Sequence, residues 1–412
     1  MVALAFAVPG SLDQPTGGYA YDRRVIAELR RRGCDVDIVD LGEGFPRPTD
    51  ATIREALVRL QRVPAGRPIV IDGLAYGVLP EAAAVLRATH PVIALVHHPL
   101  ALETGLTHEQ ALAMRASERA ALAAARHVIV TSAATARLLA ADYGVAPQAI
   151  TVALPGNDRV AISASASAPS PRLRGEGRGE GPSPPTQNRG EVPSPAPSLP
   201  SPASGGGRGG GDLSPHAGRG EEARISSPCP REGLKLLAVG AVVRRKGYDV
   251  LIEALSRLTD LDWRLVIAGD CTRDRETAGA LATRLVVLRL GARITMTGAV
   301  SEEELAALYR DADLFVLASR HEGYGMAFAE AIAHGLPVIG TKAGAIPDTV
   351  PAGAGILVPP DDVAALAAAL RAMIADAALR ERCAAAARCV AALLPTWEAT
   401  AEAFLGALKA VT

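Results

Sequence analysis

The stretch 319–350, SRHEGYGMAFAEAIAHGLPVIGTKAGAIPDTV, decides the fold of this chain. An apolar run precedes it at Asp313–Ala318, and a second short run lies within it at Val338–Ile339. The apolar spacing between about Met326 and Ala333 is typical of a helix, whereas the short runs are typical of buried strands. The stretch therefore predicts a strand, a glycine turn, a helix and a second strand, which is the repeating unit of a parallel sheet.

This order of elements predicts a phosphate site. The first turn of a helix leaves backbone N–H groups unpaired and favours a negative ligand. The glycine turn Gly323-Tyr324-Gly325 lets a phosphate approach the N–H groups of Met326 and Ala327. Glu330 lies a little over one turn along the helix, at about 1.5 Å per residue, where a carboxylate suits the paired hydroxyls of a ribose. Glu322, in the loop, faces whatever lies beyond the phosphates.

Two glutamates with seven residues between them are, taken alone, more typical of an ordinary strand–helix–strand unit with solvated side chains. The surrounding residues favour the functional interpretation. Residues 322–339 resemble the signature of the retaining glycosyltransferases of family 4, which reads E-G-[FY]-G-x4-E-A-x-A-x-G-x-P-V-I. The resemblance implies a GT-B fold, with two doubly wound Rossmann-like domains facing a central cleft. It is strong over 234–358 and diffuse over 1–158.

The N-terminal half alternates short apolar runs with helix patterns. Such alternation predicts an α/β fold with a parallel sheet, covered on both faces, whose ligands bind beyond the carboxyl ends of the strands. The predicted strands are Val2–Val8, Val36–Val39, Ile69–Asp72, Val92–His97 and Val128–Thr131. The predicted helices are Tyr19–Arg32, Ala51–Gln61, Leu79–Thr89, His108–Ala125 and Ala133–Tyr143.

A pair of glycines follows the first predicted strand. Gly17 and Gly18 precede a helix but do not form the GxGxxG pattern, which counts against a dinucleotide site. Two interpretations stay open, a tight turn or close backbone approach to a donor phosphate or an acceptor. The family that the chain resembles carries a Gly-Gly loop at this place.

Two histidines follow the fourth predicted strand. A pair at the carboxyl end of a strand is better placed for a ligand than a lone core histidine, and the resemblance implies a sugar-contacting histidine in this loop. Counting from the strand favours His97 and leaves His98 open. Glu103 follows nearby and is placed to orient either imidazole. Glu118 is predicted to be a solvated helix residue.

Basic residues follow the first strand of the C-terminal half. The family commonly reads G-R-L-x-x-x-K-G here, and the resemblance implies that Arg245 and Lys246 grip the donor diphosphate after the turn at Gly240. The arginine that the family often places after the first glycine is Ala241 in this chain. That difference removes one phosphate contact and leaves the role of Arg244 open. The alternative is three solvated basic residues.

Two further features come from the remainder of the C-terminal half. The resemblance implies that the backbone at Thr297 and Gly298 lies near the nucleotide base. Ser301 and Glu304 have the spacing of a helix capping box. A last helix is predicted from Trp397 to about Lys409, and in GT-B proteins such a helix returns to the N-terminal domain.

The composition excludes several classes of protein. The chain has 412 residues, a net charge of −1 and a pI of about 6.7, which gives no basic field for nucleic acid. Five scattered cysteines without CxxC spacing argue against a disulfide framework or a zinc site and fit a reducing cytoplasm. The apolar start, residues 1–8, is too short for a signal peptide or a membrane span. We expect a cytoplasmic protein, with peripheral membrane contact permitted.

The middle of the chain has a different composition. Residues 159–230 are rich in Pro, Gly and Ser without apolar periodicity, which predicts a disordered linker. The predicted organisation is an acceptor-side Rossmann-like domain over 1–158, the linker, a sugar-nucleotide-binding domain over 231–394 and a returning helix over 395–412.

The chemistry implied by the resemblance is retaining transfer of a hexose from a nucleotide-diphosphate sugar to a glycan, lipid or small molecule. Arg245, Lys246, Glu322 and either histidine form the expected catalytic set. No DxD metal motif sits at a strand end, so the cations are expected to replace a metal, and no cofactor beyond the co-substrate is expected. No carboxylate is assigned as a nucleophile. The alternatives are another GT-B enzyme, such as a phosphorylase or sugar-nucleotide epimerase, and a non-catalytic relic.

Overall fold

The structure is a computed structural model, and it describes residues 2–14, 16–158 and 233–412. The predicted linker at 159–230 lies outside the described residues. The described parts on either side of it belong to one compact unit. This unit contains two parallel sheets of six strands, each covered by helices.

The first sheet is built from residues 3–152 and has the strand order β2-β1-β3-β4-β5-β6. Every neighbouring pair in it is parallel. Its elements are β1 Ala3–Val8, α1 Gly17–Arg31, β2 Asp35–Asp40, α2 Asp50–Gln61, β3 Ile69–Asp72, α3 Gly73–Tyr76, α4 Pro80–Leu86, β4 Val92–Val96, α5 His108–Ala124, β5 His127–Val130, α6 Ala133–Asp142 and β6 Ile150–Val152.

The second sheet is built from residues 234–358 and has the strand order β12-β11-β10-β7-β8-β9, again with parallel pairs. Three more helices follow it. The elements are β7 Leu234–Val239, α7 Tyr248–Ser256, β8 Trp263–Ala268, α8 Arg275–Val287, β9 Ile294–Gly298, α9 Glu302–Asp311, β10 Leu314–Val316, α10 Met326–Ala333, β11 Val338–Thr341, α11 Ile346–Thr349, β12 Gly355–Val358, α12 Val363–Ala375, α13 Ala377–Ala391 and α14 Trp397–Val411.

The predicted α/β class and doubly wound sheets are confirmed. The strands β3, β4, β5, β10 and β11 are buried along their whole length, as expected for short apolar runs with helices on both faces. The loops that carry most of the candidate site residues follow β1, β4, β7 and β10, and Thr297 and Gly298 lie at the end of β9. They therefore meet at the carboxyl ends of strands, where ligands bind in open α/β sheets.

The last helix packs against the first sheet. Trp397 and Phe404 of α14 are buried in one apolar cluster with Phe6 of β1 and Tyr21 of α1. The Thr400 hydroxyl donates to a backbone carbonyl at residue 154 over 2.7 Å. Because α14 shares a core with the N-terminal sheet, it ties the end of the chain to the first half.

One sequence prediction is wrong. Glu118 is not a solvated helix residue, because only 1% of it is exposed. Its Oε2 accepts a hydrogen bond of 3.0 Å from the Leu100 N–H. Helix α5 packs against α4 and the turn at 100–102, and this packing covers the face that carries Glu118. Burial raises the pKa of Glu118 to about 8.

Within the described residues, no helix combines the length and the apolar character needed to cross a membrane.

Candidate active site

The signature loop follows β10 and leads directly into α10. Gly325 precedes the helix with a φ of 92°, a backbone conformation that side chains with a Cβ rarely adopt. A Cβ at Gly323 would lie 2.1 Å from the His97 carbonyl oxygen. The two glycines therefore allow a sharp helix start and a close approach to the loop after β4. Both features leave the N–H groups of Met326 and Ala327 at the start of the helix.

A cluster of opposite charges lies beside this loop. Lys246 Nζ lies 2.7 Å from Glu322 Oε1, and Arg245 Nη1 lies 3.3 Å from Glu322 Oε2. The Ser319 hydroxyl donates to Glu322 Oε1 over 2.6 Å. Burial alone would raise the pKa of Glu322, but Lys246 and Arg245 lower it to about 2. The glutamate is therefore ionised and holds both cations at the carboxyl ends of β7 and β10.

Arg245 has further partners that fix its side chain. Its Nη1 donates to the His321 carbonyl over 2.8 Å, and its Nε lies 3.8 Å from Glu103 Oε2. Glu103 belongs to the first half of the unit, so Arg245 joins the two sheets. The turn at Gly240 has a φ of 144°, and a Cβ there would lie 2.8 Å from Lys246 Cε. A side chain at position 240 would therefore displace the lysine.

Glu330 lies on α10, one turn beyond the start of the helix. Its Oε2 accepts a hydrogen bond of 2.8 Å from the Tyr309 hydroxyl. Burial raises the pKa of Glu330 to about 7, although Tyr309 and Lys246 act in the opposite direction. The two signature carboxylates therefore differ at neutral pH: Glu322 is fully charged, whereas Glu330 is close to its titration midpoint.

The two histidines have different partners. His98 Nε2 lies 2.6 Å from Glu103 Oε1, so Glu103 orients His98 and not His97. Burial would raise the pKa of Glu103, but His98 and Arg245 lower it to about 2. His97 Nε2 instead lies 3.3 Å from Asp22 Oδ1 and 3.3 Å from Asp72 Oδ2.

The loop with Gly17 and Gly18 lies close both to His97 and to the start of α10. A Cβ at Gly18 would lie 3.5 Å from the His97 ring, and a Cβ at Gly17 would lie 3.8 Å from Met326 Sδ. Thr297 and Gly298, at the end of β9, hydrogen-bond only to their own sheet among the described residues. The structure thus brings the glycines, the histidines and the signature loop together and leaves the 297–298 turn at the edge.

Sequence reasoning missed four side chains in this region: Asp22, Asp72, Tyr309 and Ser319. Asp72 ends a buried strand, a position where a polar residue already indicates a ligand edge. Asp22 sits on the apolar face of α1, and a charged residue there could have been noticed as an exception to the pattern. The contacts of Tyr309 and Ser319 had no sequence signal.

Among the described residues, one group of side chains of the types that bind metals lies close together: His97, Asp22 and Asp72. Their nitrogen and oxygen atoms lie within 4.8 Å of one another, a spacing that suits either a cation or a shared proton. The expectation that the reaction needs no metal stays a prediction.

The comparisons with known proteins agree with this geometry. Residues 220–390 match the family model described as Glycosyl transferases group 1. The D-inositol 3-phosphate glycosyltransferase 1 of Catenulispora acidiphila is 36% identical over 169 residues, which span 38% of this chain and 40% of that protein. The chain therefore spans less than half the length of this curated relative.

Solved structures that resemble the whole chain include the following two. A sucrose-phosphate synthase from Thermosynechococcus elongatus has a TM-score of 0.71 at 20% identity and covers 100% of this chain and 98% of its own. HepE of Anabaena in complex with UDP-glucose has a TM-score of 0.69 at 17% identity, with 100% of both chains covered.

The fold and the charge cluster define a GT-B protein. More particularly, residues 220–390 match the family of the glycosyl transferases group 1. The resemblance inferred from the sequence is confirmed at this level.

Proposed function

We propose that this chain is a retaining glycosyltransferase of family 4, which moves a hexose from a nucleotide-diphosphate sugar to an acceptor hydroxyl. One observation carries the proposal. Arg245 and Lys246 converge on Glu322 directly before the N-terminus of α10, and Glu330 lies one turn further along that helix. Two cations, free helix N–H groups and a second carboxylate are thus close together, which supports binding of a diphosphate, a sugar and a ribose at neighbouring positions.

The proposed chemistry uses these groups in sequence. Breaking the bond between the anomeric carbon and the diphosphate builds negative charge on the phosphate oxygens. Arg245, Lys246 and the N–H groups of Met326 and Ala327 stabilise that charge without reorganisation. Glu322 then contacts a hydroxyl of the donor sugar. Because the proposed reaction retains the anomeric configuration and no carboxylate acts as a nucleophile, the acceptor hydroxyl attacks from the face from which the diphosphate departs, and its proton passes to the departing phosphate oxygen.

A thermal-shift panel of sugar nucleotides tests the donor assignment. Ligand at 100 times its dissociation constant stabilises a protein by about 2.7 kcal/mol, which raises the melting temperature measurably. UDP-glucose is the first donor to use, because the HepE structure contains it. Stabilisation followed by transfer to an acceptor supports the proposal. Turnover that depends on inorganic phosphate, or epimerisation of the donor sugar, would assign the chain to another GT-B reaction.

The two signature carboxylates should separate nucleotide binding from sugar choice. We expect Glu330→Gln to weaken binding of free nucleoside diphosphate about 10-fold or more, since a hydrogen bond to a charged group contributes about 1.5–3 kcal/mol. Because the pKa of Glu330 is about 7, wild-type affinity should fall below that pH. Glu322→Gln should mainly change discrimination among donor sugars. Competition titrations measure both effects, and equal weakening by the two variants would refute the assignment.

Activity should persist in EDTA. The expectation rests on Arg245 and Lys246, which supply positive charge where metal-dependent enzymes place a cation. The measurement is donor turnover before and after chelation, with a metal-dependent glycosyltransferase as the control. Complete loss that magnesium or manganese restores would show that the two cations do not suffice.

The acceptor is proposed to bind in a cavity of about 210 Å³ beyond the carboxyl ends of β1 and β2. Glu43 and Arg273 line it, one from each half of the unit, together with Tyr19 and Phe45. Hydroxyl groups both donate and accept hydrogen bonds, so a neutral polyol or sugar suits a carboxylate and a guanidinium at once. A phosphate would be repelled by Glu43.

We therefore expect Arg273→Ala to raise the acceptor KM about 10-fold, and to lower transfer more than donor hydrolysis. The exposed Arg275, two residues away, supplies the control variant Arg275→Ala. Steady-state kinetics over an acceptor series measure the effect. A phosphorylated acceptor that is used better than its neutral form would argue against this cavity.

The cysteine pattern bears on the compartment of the protein. We infer a cytoplasmic protein from the scattered cysteines, with the sugar nucleotide as its partner and peripheral contact with a membrane surface allowed.

A further inference from the structure

A buried imidazole lies between two buried carboxylates at the cleft. His97 Nε2 is 3.3 Å from Asp22 Oδ1 of α1 and 3.3 Å from Asp72 Oδ2 at the end of β3. Asp22 is fully buried, and Asp72 is 4% exposed. Charged side chains with so little exposure are almost always paired, because an isolated buried charge costs several kcal/mol.

Among the described residues, His97 is the cation that faces Asp22, and Asp72 is a second acid beside it. Neither of its carboxylate oxygens has an aligned hydrogen bond, and both are shielded from solvent. Its neighbours Tyr21, Val25 and Ile26 belong to the apolar core. Asp72 differs, because its Oδ1 also accepts from the Leu74 N–H over 2.7 Å. The carboxylate of Asp22 therefore depends on the imidazole.

The contact is at ion-pair distance without being a directed hydrogen bond. The N–H on Nε2 lies between two carboxylates and is aligned with neither. His97 Nε2 and both Asp22 oxygens therefore lack a hydrogen bond of good geometry. With Nε2 committed to the carboxylates, Nδ1 is the ring nitrogen left to serve a ligand. The His97 side chain is 19% exposed, so it retains access to the cleft.

We propose that Asp22 is a positioning residue, which acts with Asp72 to hold His97 as an imidazolium whose free nitrogen donates to a sugar hydroxyl in the cleft. The role of that hydroxyl rests on the proposed function, whereas the charge and orientation of the imidazole do not. Asp22 and Asp72 are the charged groups that act on the ring. Gly18 and Tyr21 of α1 and Gly323 of the signature loop also contact this residue and bring no charge.

The arrangement has a pH consequence. Burial alone would lower the pKa of His97, but Asp22 and Asp72 raise it to about 10. Burial and Asp72 raise the pKa of Asp22 to about 7, although His97 acts in the opposite direction, so the two groups titrate together. The charged ring therefore contributes stability that is fully present below about pH 6.5 and is lost as pH rises through about 10. Asp22→Asn removes the carboxylate with the larger effect and keeps the side-chain volume. In this variant only Asp72 opposes the effect of burial, so the pKa of His97 should fall toward neutral pH.

The first test measures the charge of the His97 ring in the protein without substrate. Nitrogen-15 NMR of histidine-labelled protein distinguishes charged from neutral rings, and the His97 signals are assigned by their loss in His97→Gln. We expect a charged ring from pH 6 to pH 9 in the wild type and a pKa at least one unit lower in Asp22→Asn. Asp50→Asn, an exposed aspartate at the start of α2, should match the wild type. A neutral His97 at pH 7, or no change in Asp22→Asn, would overturn the proposal.

The second test separates positioning from packing. In Asp22→Asn, kcat/KM for the donor should fall about 10-fold per pH unit above the new pKa, while the wild type stays flat. A uniform loss at every pH would mean that Asp22 only packs the helix. Because NMR needs no substrate, failure of the glycosyltransferase assignment leaves the first test valid.

A divalent cation is the competing occupant of the same three side chains. It would need a neutral ring, so binding would release a proton. Titration with Mn²⁺ decides the matter: no stoichiometric binding supports the proposal. If the wild type binds Mn²⁺ tightly and Asp22→Asn does not, the three side chains form a metal site and the proposal is wrong.

Discussion

Lys246→Ala is expected to lower donor turnover about 100- to 1,000-fold, the usual effect of removing one preorganised group that stabilises developing charge. The Lys246 side chain is only 14% exposed and lies 2.7 Å from Glu322 in the resting chain. A bound diphosphate brings negative charge to the same ammonium. The fold should survive, because Arg245 and Ser319 still contact Glu322 in the variant.

The matched control is Lys342→Ala. Lys342 is exposed and lies in the same half of the unit, after β11, so its removal changes net charge equally without touching the cluster. Turnover and the melting temperature are measured on all three proteins. Unchanged turnover in a folded Lys246→Ala protein would contradict the proposed role.

Glu322→Ala is expected to lower the free energy of unfolding by about 3–5 kcal/mol, the cost of breaking a buried ion pair from one side. The variant leaves Arg245 and Lys246 next to each other without their carboxylate. Since the pKa of Glu322 is lowered from 4.5 to about 2, its contribution is present above about pH 4.5 and is lost as pH falls through about 2. The difference between wild type and variant should therefore shrink in acid.

An exposed ion pair provides the comparison. Glu381 pairs with Arg388 on α13, and its side chain is 67% exposed. Removing a surface pair costs at most about 1 kcal/mol, so Glu381→Ala should change stability little. Urea unfolding at several pH values measures both variants. Equal losses in the two would show that the Glu322 cluster is solvated and not a buried pair.

Most of the fold could be predicted from the sequence. Short apolar runs such as 92–97 and helix patterns such as 326–333 are local, and their periods report burial directly. The signature stretch also predicted the glycine turn before α10, and the family resemblance implied that Arg245 and Lys246 belong to the same donor site as Glu322.

Contacts between distant elements could not be predicted in the same way. Glu118 carries a charge and stands in a helix, so its residue type favoured solvent. It is buried because α5 packs against a turn that no local pattern marks. The same limit applies to Glu103, which was equally suited to either histidine until the structure placed it on His98.

The sequence by itself determined the two parallel sheets, the loops at their carboxyl ends and the basic and acidic residues that those loops carry. Only the tertiary structure decided which charges pair. Glu322 holds Lys246, which lies 76 positions earlier, and His97 lies between Asp22 and Asp72 from two other elements. The physical reason is that hydrophobic periodicity is a property of a segment, whereas the cost of a buried charge depends on which other segments surround it.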